Sequence, residues 1–280
     1  MSASRSAASY LYYRHTLPVR IMHWVNVIAF FLLLMSGLQI FNAHPALNWG
    51  RSSYTGQPPV LQMYARQTED GRLAGITQVL GHDFVTTGML GASRASNGEL
   101  MARGFPAWAT LPSQQWLAMG RRWHLFFAWI LVINGLAYLI YSVSSRHLVR
   151  DLAPGKEDWR SLGQSVRDHL LFRHPHGEAE KHYNVLQKLA YLFVIFVLVP
   201  LIIVTGWSMS PRLDAIIPGW VDWLGGRQAG RTIHFVAAWT LVAFVLIHVF
   251  EVIVSGLWNH LRSMITGHYR IRSGGQHETT

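Results

Sequence analysis

Residues Arg231–His260 read RTIHFVAAWTLVAFVLIHVFEVIVSGLWNH, with no Asp, Glu, Lys or Arg from Thr232 to Phe250. That is close to the roughly 20 apolar residues a helix needs to cross a bilayer. His234 and His248 lie inside it, fourteen residues apart. At 100° per residue this offset falls about 40° short of four full turns, so both imidazoles leave nearly the same face. Along the axis they are separated by roughly 21 Å, against a hydrocarbon core of about 30 Å. One histidine therefore sits near each side of the membrane. An imidazole in hydrocarbon is costly, and its default reading is functional. Either one alone is also compatible with a hydrogen bond to a neighbouring helix. Two on one stripe at opposite depths favour a shared binding role.

The rest of the chain supports a membrane protein. Half of its 280 residues are hydrophobic, 14% are charged, twelve are Trp, and mean hydropathy is positive. Cysteine is absent. This excludes disulfides, Fe–S clusters, Cys zinc sites and covalent c-type haem. Histidine, with fifteen copies, is the plentiful strong ligand. The net charge of +10 fits basic residues that flank membrane spans and meet anionic lipid. No Lys/Arg run of the kind that binds nucleic acid occurs. The N-terminal apolar stretch is too long for a secretory signal and reads as a retained span.

Four spans are expected: about 20–41, 122–144, 184–208 and 232–258. Residues 1–19 read as a polar tail, 20–272 as one membrane domain and 273–280 as a second tail. Residues 42–120 form a long polar segment whose periodicity does not decide between strands and surface helices. A segment of that length usually binds a partner or acts itself. His44 and His82 in it lack partners at metal-ligand spacing. The loop 146–183 carries His169, His174, His176 and His182, which read as solvated, with metal binding by a His-rich loop as the alternative. The fold class is thus an all-α, four-helix membrane bundle with a long insertion between the first two spans.

Eight Lys and Arg lie between 146 and 188. By the positive-inside rule this places both termini in the cytoplasm and 42–120 outside, in a bacterium the periplasm. Four histidines then sort by depth. His23 and His248 fall near the inner side, His124 and His234 near the outer side. Two facing imidazoles suit an iron porphyrin: they fill both axial positions and favour electron transfer over chemistry at iron. Glu251 lies one turn from His248 but nearer the helix end. Trp24, Trp123, Phe126, Phe127, Phe235 and Trp239 are candidates for packing on porphyrin faces or for the lipid interface. Arg20, Arg121, Arg122 and Arg231 stand at the membrane edges. They are candidates for haem propionates, since Arg binds carboxylates in a bidentate manner, or they are plain positive flanks.

The chain resembles the cytochrome b561 / nickel–iron hydrogenase cytochrome b superfamily, which includes membrane subunits of formate dehydrogenase and thiosulfate reductase. The residues that carry the likeness are Arg20-Ile-Met-His23-Trp24, Arg122-Trp123-His124 and the His234/His248 pair. It covers about 14–145 and 182–272. In the formate dehydrogenase membrane subunit the first, second and fourth helices hold two b haems and the third supplies no ligand; here the third helix also lacks His. The resemblance implies two haem b with His23/His248 and His124/His234 as axial ligands. It also implies a quinone near the cytoplasmic-side haem, where Asn184 and Gln187 are candidate contacts or simple helix-end residues. The stretches HPALNWG, HYNVLQKLAY, TGWSMSP and GRQAGRTIH resemble a subgroup paired with periplasmic molybdopterin oxidoreductases.

The expected function is a bacterial inner-membrane dihaem cytochrome b, an electron-transfer subunit linking quinone to a periplasmic redox protein, with a homodimer as an open assembly. The alternatives are a b561-type oxidoreductase acting on a small molecule such as superoxide, and a haem-free anchor or transporter.

Overall fold

The computed structural model describes residues 9–53, 56–171 and 184–272. Among the described residues, four helical stretches are long and apolar enough to cross a membrane: Leu17–Asn42 (α1), Leu117–Ser144 (α2), Val185–Ser208 and Arg227–Val254 (α8). The third combines Val185–Phe193 (α5), a π-helical turn at Val194–Leu198 and Val199–Ser208 (α6). Pro200 explains the wide turn: it has no N–H for the carbonyl four residues earlier, and its ring would crowd that carbonyl in a regular helix.

The chain divides into two compact units. One contains the chain up to Trp24, Gly135–Leu198 and everything from Leu241 on. Here residues 9–13 and 268–272 are paired. Strand β1 (Ser9–Tyr13) pairs antiparallel with the C-terminal strand β8 (His268–Arg272), Tyr12 opposite Tyr269 and Tyr10 opposite Ile271. Alternation decides the faces: Tyr269 and Ile271 are buried while His268 and Arg270 are exposed. After α8, Gly256 turns the chain in the left-handed region at φ 112°, and α9 (Leu257–Thr266) follows. The Asn259 amide clasps β8, donating to the Arg270 carbonyl at 2.8 Å and accepting its N–H at 2.9 Å. The segment after α2 holds a π turn (Leu148–Leu152) and two short helices, α3 (Lys156–Arg160) and α4 (Leu162–Leu170). His174, His176 and His182 lie outside the described residues, as does the His169 side chain.

The other unit contains Val25–Asn134 and Val199–Thr240, the latter including the short helix Pro211–Ile216 (α7). Its polar segment corrects the all-α expectation. Strands Ala46–Leu47 (β2), Leu61–Gln67 (β3), Leu73–Val79 (β4) and His82–Val85 (β5) form an antiparallel meander, and Ala92–Arg94 (β6) pairs with Leu100–Ala102 (β7). β4 and β5 join through Leu80-Gly81, both at positive φ (50° and 85°), the two-residue primed turn that suits strand twist. The core of this unit is Leu38, Phe41, Leu47, Met63 and Phe105, with Phe235 packed on it. The β segment thus seats on the ends of α1 and α8. Polar groups finish the seam. Asn42 exchanges two buried hydrogen bonds with the Phe105 backbone, 2.6 and 3.2 Å. The Gly50 carbonyl accepts the Gln228 and Ala229 N–H groups, both at 3.0 Å, satisfying donors that a helix start leaves open. Buried Arg103 donates to the Phe105 and Ser113 carbonyls and to Thr110 Oγ1.

Small residues let these helices approach. A Cβ on Gly120 would lie 2.8 Å from Gln39 Cγ, and one on Gly230 would lie 2.3 Å from Ser208 Oγ. α2 therefore closes on α1, and α8 on α6, at glycine contacts. Asn42→Ala leaves the Phe105 N–H buried without a partner, while its carbonyl keeps the Arg103 donor, at a cost of about 1–3 kcal/mol. The expected result is a lower unfolding midpoint in detergent and faster proteolysis within 42–120; an unchanged midpoint would remove Asn42 from the seam.

Candidate functional site

Two histidine pairs stand out, one in each unit. In the second unit, His124 of α2 faces His234 of α8 with ring centroids 6.2 Å apart and planes at 68°. His124 Nδ1 lies 3.1 Å from the Leu33 carbonyl and 3.2 Å from Ser36 Oγ, both on α1. His234 Nδ1 lies 3.0 Å from the Ile202 carbonyl and 3.1 Å from Thr205 Oγ1, both on α6. A carbonyl only accepts, so each Nδ1 carries the proton and each Nε2 offers a lone pair. Both rings rest against glycine: a Cβ would stand 3.3 Å from His124 Cε1 at Gly37 and 3.5 Å from His234 Cε1 at Gly206.

In the first unit, His23 of α1 faces His248 of α8 with centroids 6.5 Å apart and planes at 66°. Phe244 stacks parallel to His248 at 6.0 Å, Tyr191 meets the same ring edge-on at 6.5 Å, and Trp24 sits 5.4 Å from His23. Trp24 donates its indole N–H to the Met264 carbonyl at 3.1 Å. Among the described residues the His23 and His248 ring nitrogens have no hydrogen-bond partner.

Both spacings suit a single metal ion between the rings. Two metal–imidazole bonds of roughly 2.0–2.1 Å and a ring-centre offset of about 1.1 Å on each side give about 6.3 Å. Among the described residues no group of three or more His, Cys, Asp or Glu forms a metal cage. Any iron here needs a macrocycle to complete its coordination, and the residues present fit haem.

The other candidates separate. Arg231 donates to the Ala46 carbonyl at 2.9 Å and to the His44 carbonyl, tying α8 to β2, and lies over the Phe41 ring. Arg20 donates to the Ile265 carbonyl, and its Nε is buried without a partner. Arg121 and Arg122 are exposed on α2. Asn184 and Gln187 form a capping box: Asn184 Oδ1 accepts the Leu186 N–H at 3.1 Å and Gln187 Oε1 accepts the Asn184 N–H at 3.2 Å. Any role toward quinone falls to their amide N–H groups. Phe235 and Trp239 pack with Phe41 and Phe105, whereas Phe126 is exposed. Outside the spans, burial and then Arg14 hold His15 down to a pKa of about 3, so it is neutral. Burial and then Arg231 lower His44. Neither joins a pair.

Sequence reasoning missed Ser36, Thr205, Gly206, Tyr191 and Phe244. A signal was present: Leu33–Gly37 and Ile202–Gly206 both end in a hydroxyl residue followed by glycine.

The prokaryotic cytochrome b561 family matches residues 14–267. A putative protein-methionine-sulfoxide reductase subunit from Azospira oryzae is 33% identical over 153 residues, 55% of this chain and 73% of that protein. Probable Ni/Fe-hydrogenase B-type cytochrome subunits from Cupriavidus necator and Rhodobacter capsulatus are 23% and 21% identical, each covering 91% of this chain and 86% and 80% of their own length. The chain belongs to the prokaryotic cytochrome b561 family, multi-pass membrane proteins that transfer electrons through b-type haem.

Proposed function

We propose that the chain is a dihaem cytochrome b. It passes electrons across the bacterial inner membrane between quinone and a periplasmic redox protein, with both termini cytoplasmic. The observation that carries this is the pair of facing imidazole couples, at 6.5 Å and 6.2 Å, each of a separation that one six-coordinate iron spans. Haem supplies one-electron exchange when bound. The residues do the rest. His23 and His248 would hold one haem, and His124 and His234 the other. Helix α8, continuous from Arg227 to Val254, carries one ligand of each pair. Two histidines holding each haem would leave no ligand position for a small molecule, which favours electron transfer over chemistry at iron. Arg20 offers its buried Nε to a propionate, and Arg121 and Arg122 stand on the helix that carries His124.

The relatives support a subunit role. Each is named as the subunit of a redox complex, two with hydrogenases and one with a methionine sulfoxide reductase. For this chain the partner class we favour is a molybdopterin oxidoreductase, docking on the β segment between α1 and α2. That segment is folded and anchored on the helix ends by Asn42, Arg231 and Gly50, so it offers a fixed surface. Quinone would exchange electrons beside the His23/His248 pair, where Tyr191 and Phe244 provide aromatic walls.

A pyridine haemochrome assay on the purified chain should give two haem b per polypeptide. A ratio near zero would sink the cytochrome reading, and a ratio near one would show that one pair is misassigned. His248→Ala and His124→Ala should each remove a different component of the reduced spectrum; loss of the same component in both would break the pairing. Carbon monoxide should leave the reduced wild-type spectrum unchanged, because two histidines would hold each haem. Affinity purification from the native host should bring down a molybdenum-containing oxidoreductase; recovery with a hydrogenase instead would reassign the partner.

A further inference from the structure

The His124/His234 surroundings repeat a device on two helices that carry no ligand to that pair. On α1 the carbonyl of Leu33, the hydroxyl of Ser36 and the bare Cα of Gly37 meet His124. On α6 the carbonyl of Ile202, the hydroxyl of Thr205 and the bare Cα of Gly206 meet His234. The offsets are identical: carbonyl at n, hydroxyl at n+3, glycine at n+4.

Helix geometry explains the pattern. The carbonyl at n already accepts the N–H of n+4 and keeps a second lone pair on its flank. A side chain on n+4 would cover that flank, and glycine leaves it open to the ring. The hydroxyl has one proton and spends it inside its own helix. Ser36 donates to the Leu32 carbonyl at 2.5 Å, and Thr205 donates to the Leu201 carbonyl at 2.6 Å. Toward the imidazole each hydroxyl is therefore an acceptor. Each Nδ1–H faces two acceptors at once, with both hydroxyl residues fully buried.

We propose that Ser36 and Thr205 are positioning residues for the His124/His234 pair: they lock the Nδ1–H tautomer and raise the electron donation of each Nε2. This rests on the haem reading of that pair. It assigns a role to the third span, which has no histidine of its own, as the support of a ligand on α8. Stronger donation favours ferric over ferrous iron and holds the potential down. The His23/His248 pair has no equivalent acceptors among the described residues, so the effect is confined to one site.

The test uses the purified full chain as wild type, Ser36→Ala, Thr205→Val, Ser36→Thr and Thr205→Ser. Haem content is measured first, then the midpoint potential of each spectral component by anaerobic redox titration. In Ser36→Ala and Thr205→Val one component should move upward while the other stays fixed. A tenfold loss of preference for ferric iron corresponds to about 59 mV for one electron. The hydroxyl-preserving variants should stay close to wild type. If Ser36→Ala or Thr205→Val loses a haem, its retention in the matching hydroxyl-preserving variant supports the proposal, and its loss there as well overturns it. Loaded variants whose two potentials are unmoved, or move together, also overturn it. A wild type without haem fails the cytochrome reading itself, a result distinct from a wild type with two components that ignore the hydroxyls.

Discussion

An imidazole packed between apolar helices has to place its N–H somewhere, and the supply of acceptors there is small. Every helix carbonyl already has a partner four residues on, and water is absent from the hydrocarbon. The solution seen twice in this chain is to approach a carbonyl from its side, where a glycine leaves the flank bare and a Ser or Thr adds a second acceptor. Much else in that unit serves this approach. The Gly120 contact on Gln39 brings α2 against α1, and the Gly230 contact on Ser208 brings α8 against α6. A bulkier residue at either contact would lift a histidine off its carbonyl before touching the histidine itself. The placement of these rings is a property of helix spacing, and helix spacing is a property of a few small side chains.

Helix ends raise the same accounting at the edge of the hydrocarbon. The first N–H groups of α8 find the Gly50 carbonyl, Thr232 Oγ1 donates to the Asn48 carbonyl at 2.7 Å, and Arg231 takes the carbonyls of His44 and Ala46. The segment between α1 and α2 is therefore a lid that satisfies polar groups as well as a candidate docking surface. In the other unit the same task falls to the chain's two terminal segments. β1 and β8 pair with each other, and Arg14 lies 4.9 Å over the Tyr269 ring. Arg20 crosses from α1 to the last turn of α9. Basic residues that read as topology signals thus also act as ties between elements.

What was legible follows from how strong each local signal is. Spans are long, uncharged and hard to miss, and four histidines at matched depths form a pattern without neighbouring competitors. The β segment was hard to read because four of its six described strands span only two to four residues. The β4–β5 turn also uses Leu80-Gly81, where Leu at φ 50° hides the usual Asn-Gly signature. Asp70-Gly71, between the runs LQMYARQ and LAGITQV, was the available hairpin signal. Tyr269 and Ile271 alternate with His268 and Arg270, but five residues of alternation next to a basic tail carry little weight without the partner strand. Asn184 and Gln187 show the converse: Asn followed three residues later by Gln before an apolar run is a capping-box signature, and the structure uses both side-chain oxygens that way.

The supports of the histidines escaped notice for a different reason. Ser-Gly and Thr-Gly are ordinary in membrane helices, where small residues aid packing, so neither dipeptide is informative by itself. Their meaning comes from the ring placed against them, which belongs to another helix. A helix without histidine looks like filler in a search for ligands, yet α6 supplies the carbonyl, the hydroxyl and the open flank on which His234 rests. The contrast with the His23/His248 pair gives this a physical consequence. There the rings are held by aromatic neighbours, Phe244 stacked at 6.0 Å and Tyr191 and Trp24 at their edges. Stacking orients a ring without drawing on its N–H. Two pairs with nearly the same ring separation thus differ in how their rings are held, one by acceptors on neighbouring helices and the other by aromatic packing.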